Sequence, residues 1–263
     1  MKIGIIGAGN IGRVLALRWV EREHKVLIGN SRGPDTLAKV ASETGAKPAE
    51  LADVVRGAAV IVVTIPEKKV LNLPADLFSD VPETTVVIDT GNYYPRERDG
   101  RIEGIESGMM KSAWVAQQIR RPVIKAFNNN IYAAHLRDLG KPEGTPGRVV
   151  LPVSGDNADA KAVVMQLVNE MGFDPVDNGG IDDSWRQQPG TPVFNREAAE
   201  GRSREGGADS QAAMEWHRQE PRQLRSPRMK PRGDGPFKTR RRVVEAGVLS
   251  RARCCRTDVR PAG

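Results

Sequence analysis

The chain has 263 residues, 39% of them hydrophobic and 28% charged, which is enough for one or two domains. No apolar run approaches the roughly 18 residues that a membrane span needs. Because Met1 leads directly into the first predicted strand, we expect a cytoplasmic protein without a signal peptide.

The net charge of +7 is distributed unevenly along the chain. Residues 196–263 hold 17 Lys and Arg against 9 Asp and Glu, which leaves 23 against 24 in residues 1–195. The basic excess therefore belongs to the C-terminal tail. The preceding part has no general attraction for polyanions, so nucleic acid is expected as a partner only through the tail.

The chain opens with a predicted strand, a glycine-rich turn and an amphipathic helix. The apolar residues 3–6 precede the turn, and a second apolar run, 26–28, completes a βαβ unit. At Gly7 the chain must turn out of the strand. At Gly9 a Cβ would block a pyrophosphate, and at Gly12 the helix must pack closely on the strand. The N–H groups of the first helical turn would then face the phosphates, which predicts dinucleotide binding.

The end of the second strand indicates which dinucleotide is bound. It reads Asn30, Ser31 and Arg32, with no carboxylate before Asp35. An NAD site usually has Asp or Glu here to accept from the ribose 2′-OH, whereas Arg32 can pair with a 2′-phosphate and Ser31 can donate to it. This turn predicts NADP(H) over NAD(H). The alternative is that Arg32 is a solvated turn residue and Asp35 serves NAD.

The rest of residues 1–194 alternates predicted helices and strands. Helices are predicted over residues 35–44 with Gly45 as the stop, 50–56, 68–78, 107–118, 131–139, and from an N-cap at Asp156 to Gly172. Further strands are predicted over residues 58–65, 85–89, 123–127, 148–154 and 173–176. The charged residues 96–106 are predicted to be a surface excursion. This order is typical of an α/β fold with a doubly wound, mostly parallel sheet of the Rossmann type.

Polar and turn-forming residues follow two of these strands. Thr64, Ile65 and Pro66 end the strand over 58–65, and Asn92 lies in the loop after the strand over 85–89. Carboxyl ends of parallel strands line the ligand crevice, so the first three should lie beside the nicotinamide ribose. The Asn92 amide could orient a carboxamide or a second planar ring. The alternative is that the loop is only a turn built by Gly, Asn and Pro.

A third strand end carries the candidate catalytic groups. Three consecutive amides, residues 128–130, follow Lys125, and we expect Asn128 and Lys125 at the crevice. Lys125 could act as a proton donor, as an anion clamp, or only as a strand residue that extends outward to solvent. No metal site is predicted, because the two cysteines, Cys254 and Cys255, are adjacent and cannot supply a ligand set.

Several ordered segments together resemble one known family. They read GIIGAGNIG, IGNSRGP, TIP, DTGNYYP, KAFNN, PVSGDNADAK and DDSWRQQPGTP, and they span residues 1–194. This part of the chain resembles the NADP oxidoreductase family associated with the deazaflavin coenzyme F420. The resemblance implies a Rossmann-type NADP(H)-binding domain, direct hydride transfer from the nicotinamide to a deazaflavin or flavin ring, and a homodimer.

The resemblance also implies roles for single residues. The glycine turn matches the pyrophosphate loop, Ser31 and Arg32 match the 2′-phosphate clamp, and Asn128 matches the amide near the reacting rings. The cofactor-binding residues expected from the motifs and the resemblance are Gly7, Ala8, Gly9, Asn10, Ile11, Gly12, Asn30, Ser31, Arg32, Thr64, Ile65, Pro66 and Asn92.

The expected function is therefore an NADP(H)-dependent oxidoreductase with a deazaflavin or flavin-like small-molecule acceptor. Direct hydride transfer requires alignment of the two rings and no obligatory acid or base. One alternative is a non-catalytic NADP(H)-binding sensor or regulatory module. Another is an NADPH-dependent imine or ketone reductase, for which Lys125 is the candidate proton donor.

The family pattern stops after residue 193. Of the 17 basic residues in the tail 15 are Arg, and the tail has scarcely an apolar run, so residues 195–263 are predicted to be disordered. Three origins compete: a shifted reading frame in a GC-rich coding sequence, an Arg-rich nucleic-acid arm, and an ordinary solvated extension.

Overall fold

The computed structural model describes residues 1–129, 133–191 and 194. The tail over residues 195–263, whose disorder the composition predicts, lies outside the described residues. So do Asn130, the third amide of the predicted strand end, and the cysteine pair. Within the described residues the predicted alternation of strands and helices is confirmed, with changes at the ends of several elements.

Strands of two sheets form the centre of the fold. They are β1 (Lys2–Ile6), β2 (Lys25–Gly29), β3 (Lys47–Pro48), β4 (Val60–Val63), β5 (Val86–Asp89), β6 (Ile124–Lys125), β7 (Val150–Val153) and β8 (Asp174–Asp177). The first six form one parallel sheet in the order β3-β2-β1-β4-β5-β6. Because the strand order reverses beside β1, the chain leaves β1 and β4 in opposite directions, and a crevice opens between the carboxyl ends of these two strands. The predicted doubly wound Rossmann-type sheet is confirmed.

The last two strands pair separately. β7 and β8 form a parallel pair of their own, and an antiparallel bridge between Lys125 and Ser154 joins β7 to β6. The bridge uses both possible backbone bonds, from the Lys125 N–H to the Ser154 oxygen at 2.7 Å and in the reverse direction at 3.0 Å. This bridge brings the C-terminal segments of the domain to the crevice edge of the main sheet.

Eight α-helices connect and cover the strands of the described chain. They are α1 (Asn10–Val20), α2 (Ala38–Thr44), α3 (Leu51–Val55), α4 (Glu67–Val70), α5 (Glu103–Glu106), α6 (Lys111–Ile119), α7 (Ala133–Asp138) and α8 (Ala158–Glu170). Two 3₁₀ segments, Pro34–Leu37 and Ile181–Gln187, and a π-helical turn, Pro95–Asp99, complete the list. None of the described helices has the length and apolarity that crossing a membrane requires.

Two helix predictions were wrong in detail. The helix expected over residues 68–78 is the single turn α4, because Pro74 lacks an N–H and disfavours the helical conformation of Leu73. The N-cap of α8 is Asn157, whose side-chain oxygen accepts the N–H of Ala160 at 2.8 Å. Asp156 instead accepts the N–H of Ile181 at 2.9 Å and ties the C-terminal segment to the domain.

The core consists of two apolar layers, one on each face of the main sheet. One layer surrounds Trp19 of α1 and includes the inner face of α8, and Trp19 meets Phe127 edge-on with ring centroids 5.7 Å apart. The other layer surrounds Val54 of α3 and Trp114 of α6. Burial on both faces explains why β4 reads as a continuous β-branched run. Because both faces of the main sheet are covered, a ligand can reach it only at an edge, and the candidate site lies at the carboxyl edge.

Candidate functional site

The glycine turn between β1 and α1 is packed without spare room at two of its glycines. Gly7 has a φ of 114°, and a Cβ added there would lie 2.5 Å from the carbonyl oxygen of Thr64. A Cβ on Gly12 would overlap the carbonyl oxygen of Gly7. The positions therefore need glycine for the two reasons that the motif suggests, a turn with positive φ and close packing of helix on strand.

Gly9 is different, because a Cβ added there would meet no described atom within 4 Å. It forms the N-cap of α1 without a side-chain cap, and the first turn of α1, which begins at the exposed Asn10, contains no acidic residue. The open space and the uncapped N–H groups leave room and positive potential for an anion at this end of the helix. The residues present thus fit the pyrophosphate of a dinucleotide.

The other two predicted residues of the turn support its shape. The carbonyl oxygen of Ala8 accepts a hydrogen bond from Arg13 Nε at 3.0 Å, and Arg13 also reaches Glu43 at 3.5 Å. Ile11 is half-buried and packs against the apolar layer around Trp19. The side chain of Ile11 therefore anchors α1, and its contribution to a ligand would come from its backbone.

The turn after β2 exposes the guanidinium of Arg32 and the hydroxyl of Ser31 to solvent. Asn30 shapes it by accepting the N–H of Arg32 at 2.8 Å and donating to the Thr36 hydroxyl at 3.0 Å. Ser31 and Arg32 are exposed, and neither side chain has a hydrogen bond or an ion pair within the described chain. Asp35, the alternative ligand for an NAD ribose, is also exposed. Thr36, which sequence reasoning missed, fixes the turn that presents Arg32.

The strand-end residues after β4 lie directly under the glycine turn. Thr64 donates its N–H to Ile6 at 2.9 Å, and its methyl group limits the space at Gly12. The Ile65 side chain similarly limits the space at Gly7, while Pro66 forms the N-cap of α4. The structure therefore brings the TIP segment and the glycine turn into contact, as the shared strand edge predicts.

The amides of Asn92 and Asn128 hold each other across the ends of β5 and β6. Asn92 Nδ2 donates to the carbonyl oxygen of Asn128 at 3.0 Å, and Asn128 Nδ2 donates to Asn92 Oδ1 at 3.1 Å and to the carbonyl oxygen of Gln187 at 2.7 Å. Asn128 is only 2% exposed. The amide of this catalytic candidate is engaged by the protein, so its evident contribution is to the shape of the edge.

Gln187 is a second buried amide that sequence reasoning missed. Its Nε2 donates to Asn128 Oδ1 at 2.8 Å, and its Oε1 accepts from the Ser154 hydroxyl at 2.9 Å and from Asn178 Nδ2 at 3.1 Å. Gln187 lies in the polar segment DDSWRQQPG, yet it is fully buried between β6, β7 and β8. This network closes the C-terminal side of the candidate site.

Lys125 points inward and is fully buried. Its Nζ donates to Asp89 Oδ2 at 2.9 Å and to the carbonyl oxygen of Gly91, and the Ser112 hydroxyl donates to the same Asp89 oxygen at 2.6 Å. The alternative of an outward-extending strand residue is therefore wrong. The side chain is long enough to reach a carboxylate inside the fold, and an unpaired buried ammonium would be costly.

Residues 96–106 contribute a buried charge cluster and are not only a surface excursion. Arg98 Nη2 lies 2.8 Å from Glu67 Oε2 and 2.8 Å from Asp99 Oδ2. Glu67 is 1% exposed, and its other oxygen has no hydrogen-bond partner in the described part of the chain. Burial raises the pKa of Glu67 to about 7, with Lys125 lowering it and Asp89 raising it further. Sequence reasoning missed this cluster because its members come from α4 and from the turn Pro95–Asp99, about thirty residues apart in the chain.

Lys111, at the start of α6, is a half-buried lysine beside the same edge. Its Nζ lies 6.0 Å from the centroid of the Tyr93 ring, and no described residue forms a hydrogen bond or an ion pair with it. Burial lowers the pKa of the Lys111 ammonium to about 8, and the charge of Lys125 lowers it further, while Glu67 opposes both. The Tyr93 hydroxyl is itself bonded to Glu106 Oε1 at 2.8 Å.

Two surface cavities lie away from the carboxyl edge of the main sheet. Surface cavities of about 790 and 420 Å³ flank α8, and none of the predicted site residues lines either of them. Among the described residues, no group of three or more His, Cys, Asp and Glu is arranged to hold a metal ion. The residues that fit a ligand are those along the carboxyl edge of the main sheet.

The fold and the glycine turn define a Rossmann-type dinucleotide-binding protein. Residues 2–93 match the family described as "NADP oxidoreductase coenzyme F420-dependent". The chain belongs to this family of NADP-dependent oxidoreductases.

Three similar proteins show how much of this chain and of each relative the similarity covers. "Putative protein YjhV" of Escherichia coli K12 is 55% identical over 75 residues, which are 28% of this chain and 47% of that protein. The hypothetical protein SMa0349 of Sinorhizobium meliloti is 32% identical with a TM-score of 0.62, over 74% of this chain and 93% of that one. A "putative f420 dependent nadp-reductase" of Arthrobacter sp. FB24 is 25% identical with a TM-score of 0.56, over 71% and 87%. The chain thus spans about half of its curated E. coli relative and most of both crystallised proteins.

Proposed function

We propose that the chain binds NADP(H) along the carboxyl edge of the main sheet and transfers hydride between the nicotinamide and a deazaflavin or flavin-like acceptor. One observation carries the cofactor half of the proposal: open space at Gly9 combined with an unpaired Arg32 at the end of the neighbouring strand. A pyrophosphate at the first and a 2′-phosphate at the second would neutralise positive potential that the described chain leaves uncompensated.

Each part of the edge has a role in this proposal. The backbone N–H groups from Gly9 to Gly12 bind the pyrophosphate, and Ser31 and Arg32 bind the 2′-phosphate. Thr64 to Pro66 and Asn92 flank the nicotinamide ribose. The bound nicotinamide supplies the hydride, while the protein aligns the rings and excludes water between them. The mutual bonds of Asn92 and Asn128 keep the two strand ends at a fixed spacing for this alignment.

The family description and the Arthrobacter relative support a deazaflavin acceptor. A flavin remains within the proposal because both rings accept hydride from a nicotinamide in the same stacked arrangement. The imine or ketone reductase alternative needs a proton donor, and Lys125, its candidate, is buried in an ion pair with Asp89. Because the ammonium is fully buried and already bonded to Asp89, its geometry does not favour a role as the proton donor to a substrate.

The proposal includes the domain boundary and a homodimer. Residues 1–194 would form the NADP(H)-binding unit, and removal of residues 195–263 should leave NADPH affinity and the unfolding transition unchanged. Analytical ultracentrifugation of both forms would test the dimer. Loss of folding in the truncated chain would contradict the boundary.

The test of the function combines binding and turnover on the full chain. Quenching of protein fluorescence should show tighter binding of NADPH than of NADH. NADPH oxidation, followed at 340 nm, should then occur with deazaflavin or flavin and remain at background with imines and ketones. Binding without oxidation by any acceptor would indicate the non-catalytic module instead, and oxidation by an imine alone would indicate the reductase alternative.

A further inference from the structure

Lys111 lies beside the carboxyl end of β5, on the edge of the main sheet to which the proposed function assigns the acceptor. The hydroxyl of its neighbour Ser112 donates to Asp89 at the carboxyl end of β5, so the first turn of α6 covers that strand end. Lys111 projects over the ring of Tyr93, in the loop that leaves the same strand. It therefore stands on the acceptor side of the crevice, on the opposite side of β4 from the turn that presents Arg32.

The charges around Lys111 leave it without a fixed partner. Lys125 of β6 is paired with Asp89. Glu67 of α4 is paired with Arg98 through Oε2, while its Oε1 has no hydrogen-bond partner in the described chain and its charge favours the Lys111 ammonium. Tyr93 presents its ring and uses its hydroxyl on Glu106. In the segment Ile181–Gln187, which packs on α6, the acidic Asp183 is paired with Arg186, and Asp182 is the remaining charge. The Lys111 ammonium therefore forms no ion pair in the described chain, and burial disfavours its charged form.

We propose that Lys111 donates the proton that accompanies hydride transfer to the acceptor ring. The inference rests on the proposed function. Reduction of a flavin-like ring by NADPH adds a hydride and, over the whole reaction, a proton, and a positioned acid delivers that proton faster than solvent does. Lys111 is placed at the proposed acceptor side and is partly open to solvent. Burial lowers its pKa to about 8, which brings the ammonium closer to the neutral range in which acid catalysis is efficient.

The step balances as follows. The C4 hydrogen of NADPH leaves with two electrons and bonds to the acceptor ring, which gives NADP⁺ and an anionic reduced ring. An N–H bond of the Lys111 ammonium breaks, its proton bonds to a ring nitrogen, and the bonding pair stays on Nζ as a neutral amine. Because the side chain is only half-buried, solvent returns a proton to the amine before the next turnover.

The first test needs no turnover. Reductive methylation with ¹³C-formaldehyde labels the lysines of the full chain, and the Lys111 resonance is assigned by its absence in Lys111→Arg. It should titrate near pH 8. The resonance of exposed Lys69 on neighbouring α4 serves as the internal reference. Adding deazaflavin or FMN with NADP⁺ should shift the Lys111 resonance and leave that of Lys69 in place.

The second test separates the proton from the charge. Lys111→Met should lower kcat for flavin-like acceptors about 100-fold with an unchanged Kd for NADPH, the scale typical of a lost general acid. Lys111→Arg keeps the charge but does not release a proton near neutral pH, so it should be equally slow. The wild-type fall in kcat above pH 8 should be absent from both variants, and Lys69→Met should behave as the wild type.

Three results would overturn the proposal. They are full activity in Lys111→Met, rescue of kcat by Lys111→Arg, which would show that only the charge matters, and a Lys111 resonance that ignores the acceptor. Failure of the proposed function has a different signature, because the wild-type chain would then bind NADPH and reduce no acceptor of the flavin class.

Discussion

Replacing Arg32 by alanine tests the cofactor assignment most directly. The guanidinium is exposed and unpaired within the described chain, so its removal breaks no protein contact. The backbone N–H of residue 32 still donates to Asn30 Oδ1, which preserves the turn. The variant therefore changes the charge presented to a ligand and little else, and we expect NADPH affinity to fall while NADH affinity stays the same.

The size of the loss follows from the exposure of Arg32. A charge-assisted hydrogen bond contributes roughly 1.5–3 kcal/mol, and solvent screening at this exposed turn favours the lower end. At about 1.4 kcal/mol for each factor of ten, Kd for NADPH should rise roughly 10- to 30-fold. The same reasoning predicts that raising the salt concentration weakens NADPH binding to the wild type more than to the variant.

Isothermal titration of both dinucleotides at two salt concentrations measures these changes. Arg120→Ala is the matched control, because Arg120 is also exposed and follows α6 at the opposite edge of the sheet from Lys111. It should bind both dinucleotides as the wild type does. Equal losses for NADPH and NADH in Arg32→Ala, or no loss for either, would refute the assignment of the 2′-phosphate to this turn.

Three further predictions concern binding and stability. Gly9→Ala should unfold at nearly the wild-type temperature yet bind NADPH at least about tenfold more weakly. Gly12→Ala should weaken binding and also lower the free energy of unfolding by roughly 1–3 kcal/mol. Equal melting temperatures of Gly12→Ala and the wild type would contradict the close packing at Gly12. Burial raises the pKa of Glu67 from 4.5 to about 7, so the folded state binds the proton more tightly than the unfolded state does. The contribution of protonated Glu67 to the free energy of unfolding is therefore fully present below pH 4.5 and is lost as the pH rises through 7. Urea unfolding at pH 5 and 8 should show that loss, of roughly 2–3 kcal/mol, in the wild type and not in Glu67→Gln; parallel curves would contradict it. Gln187→Ala leaves the Asn128 amide oxygen without its buried donor and should cost roughly 2–4 kcal/mol in the same assay, whereas a change below about 0.5 kcal/mol would show the network to be dispensable.

The cofactor half of the site could be predicted from the sequence because its determinants are local. The glycine turn, the helix after it and the polar turn after β2 lie within about thirty consecutive residues. Each follows from a conformational or steric requirement that a single residue type satisfies. The contact between Thr64 and Gly12 spans a longer stretch of chain, yet the parallel order of β1 and β4 brings it about without any special pairing.

The acceptor half could not be predicted in the same way, because its side chains meet only through tertiary pairing. Lys125 could extend to solvent or turn inward, and only the position of Asp89 decides between them. Arg98 lies in a run of charges that is indistinguishable from a solvated loop until Glu67 of α4 is placed beside it. Gln187 reaches Asn128 across 59 positions of sequence. A polar residue alone does not show whether a distant partner exists.

The family match covers residues 2–93, whereas the resemblance to the Sinorhizobium structure extends over 74% of the chain. Steric requirements of the glycine turn admit few substitutions, but two paired groups in the later segments can change together while the strand ends keep their spacing. Acceptor preference should therefore vary with α6, the turn Pro95–Asp99 and the segment Ile181–Gln187 while the cofactor half stays the same. The proton donor proposed at Lys111 lies on α6 in the acceptor half, so changes there should alter turnover of the acceptor and leave the affinity for NADPH unchanged.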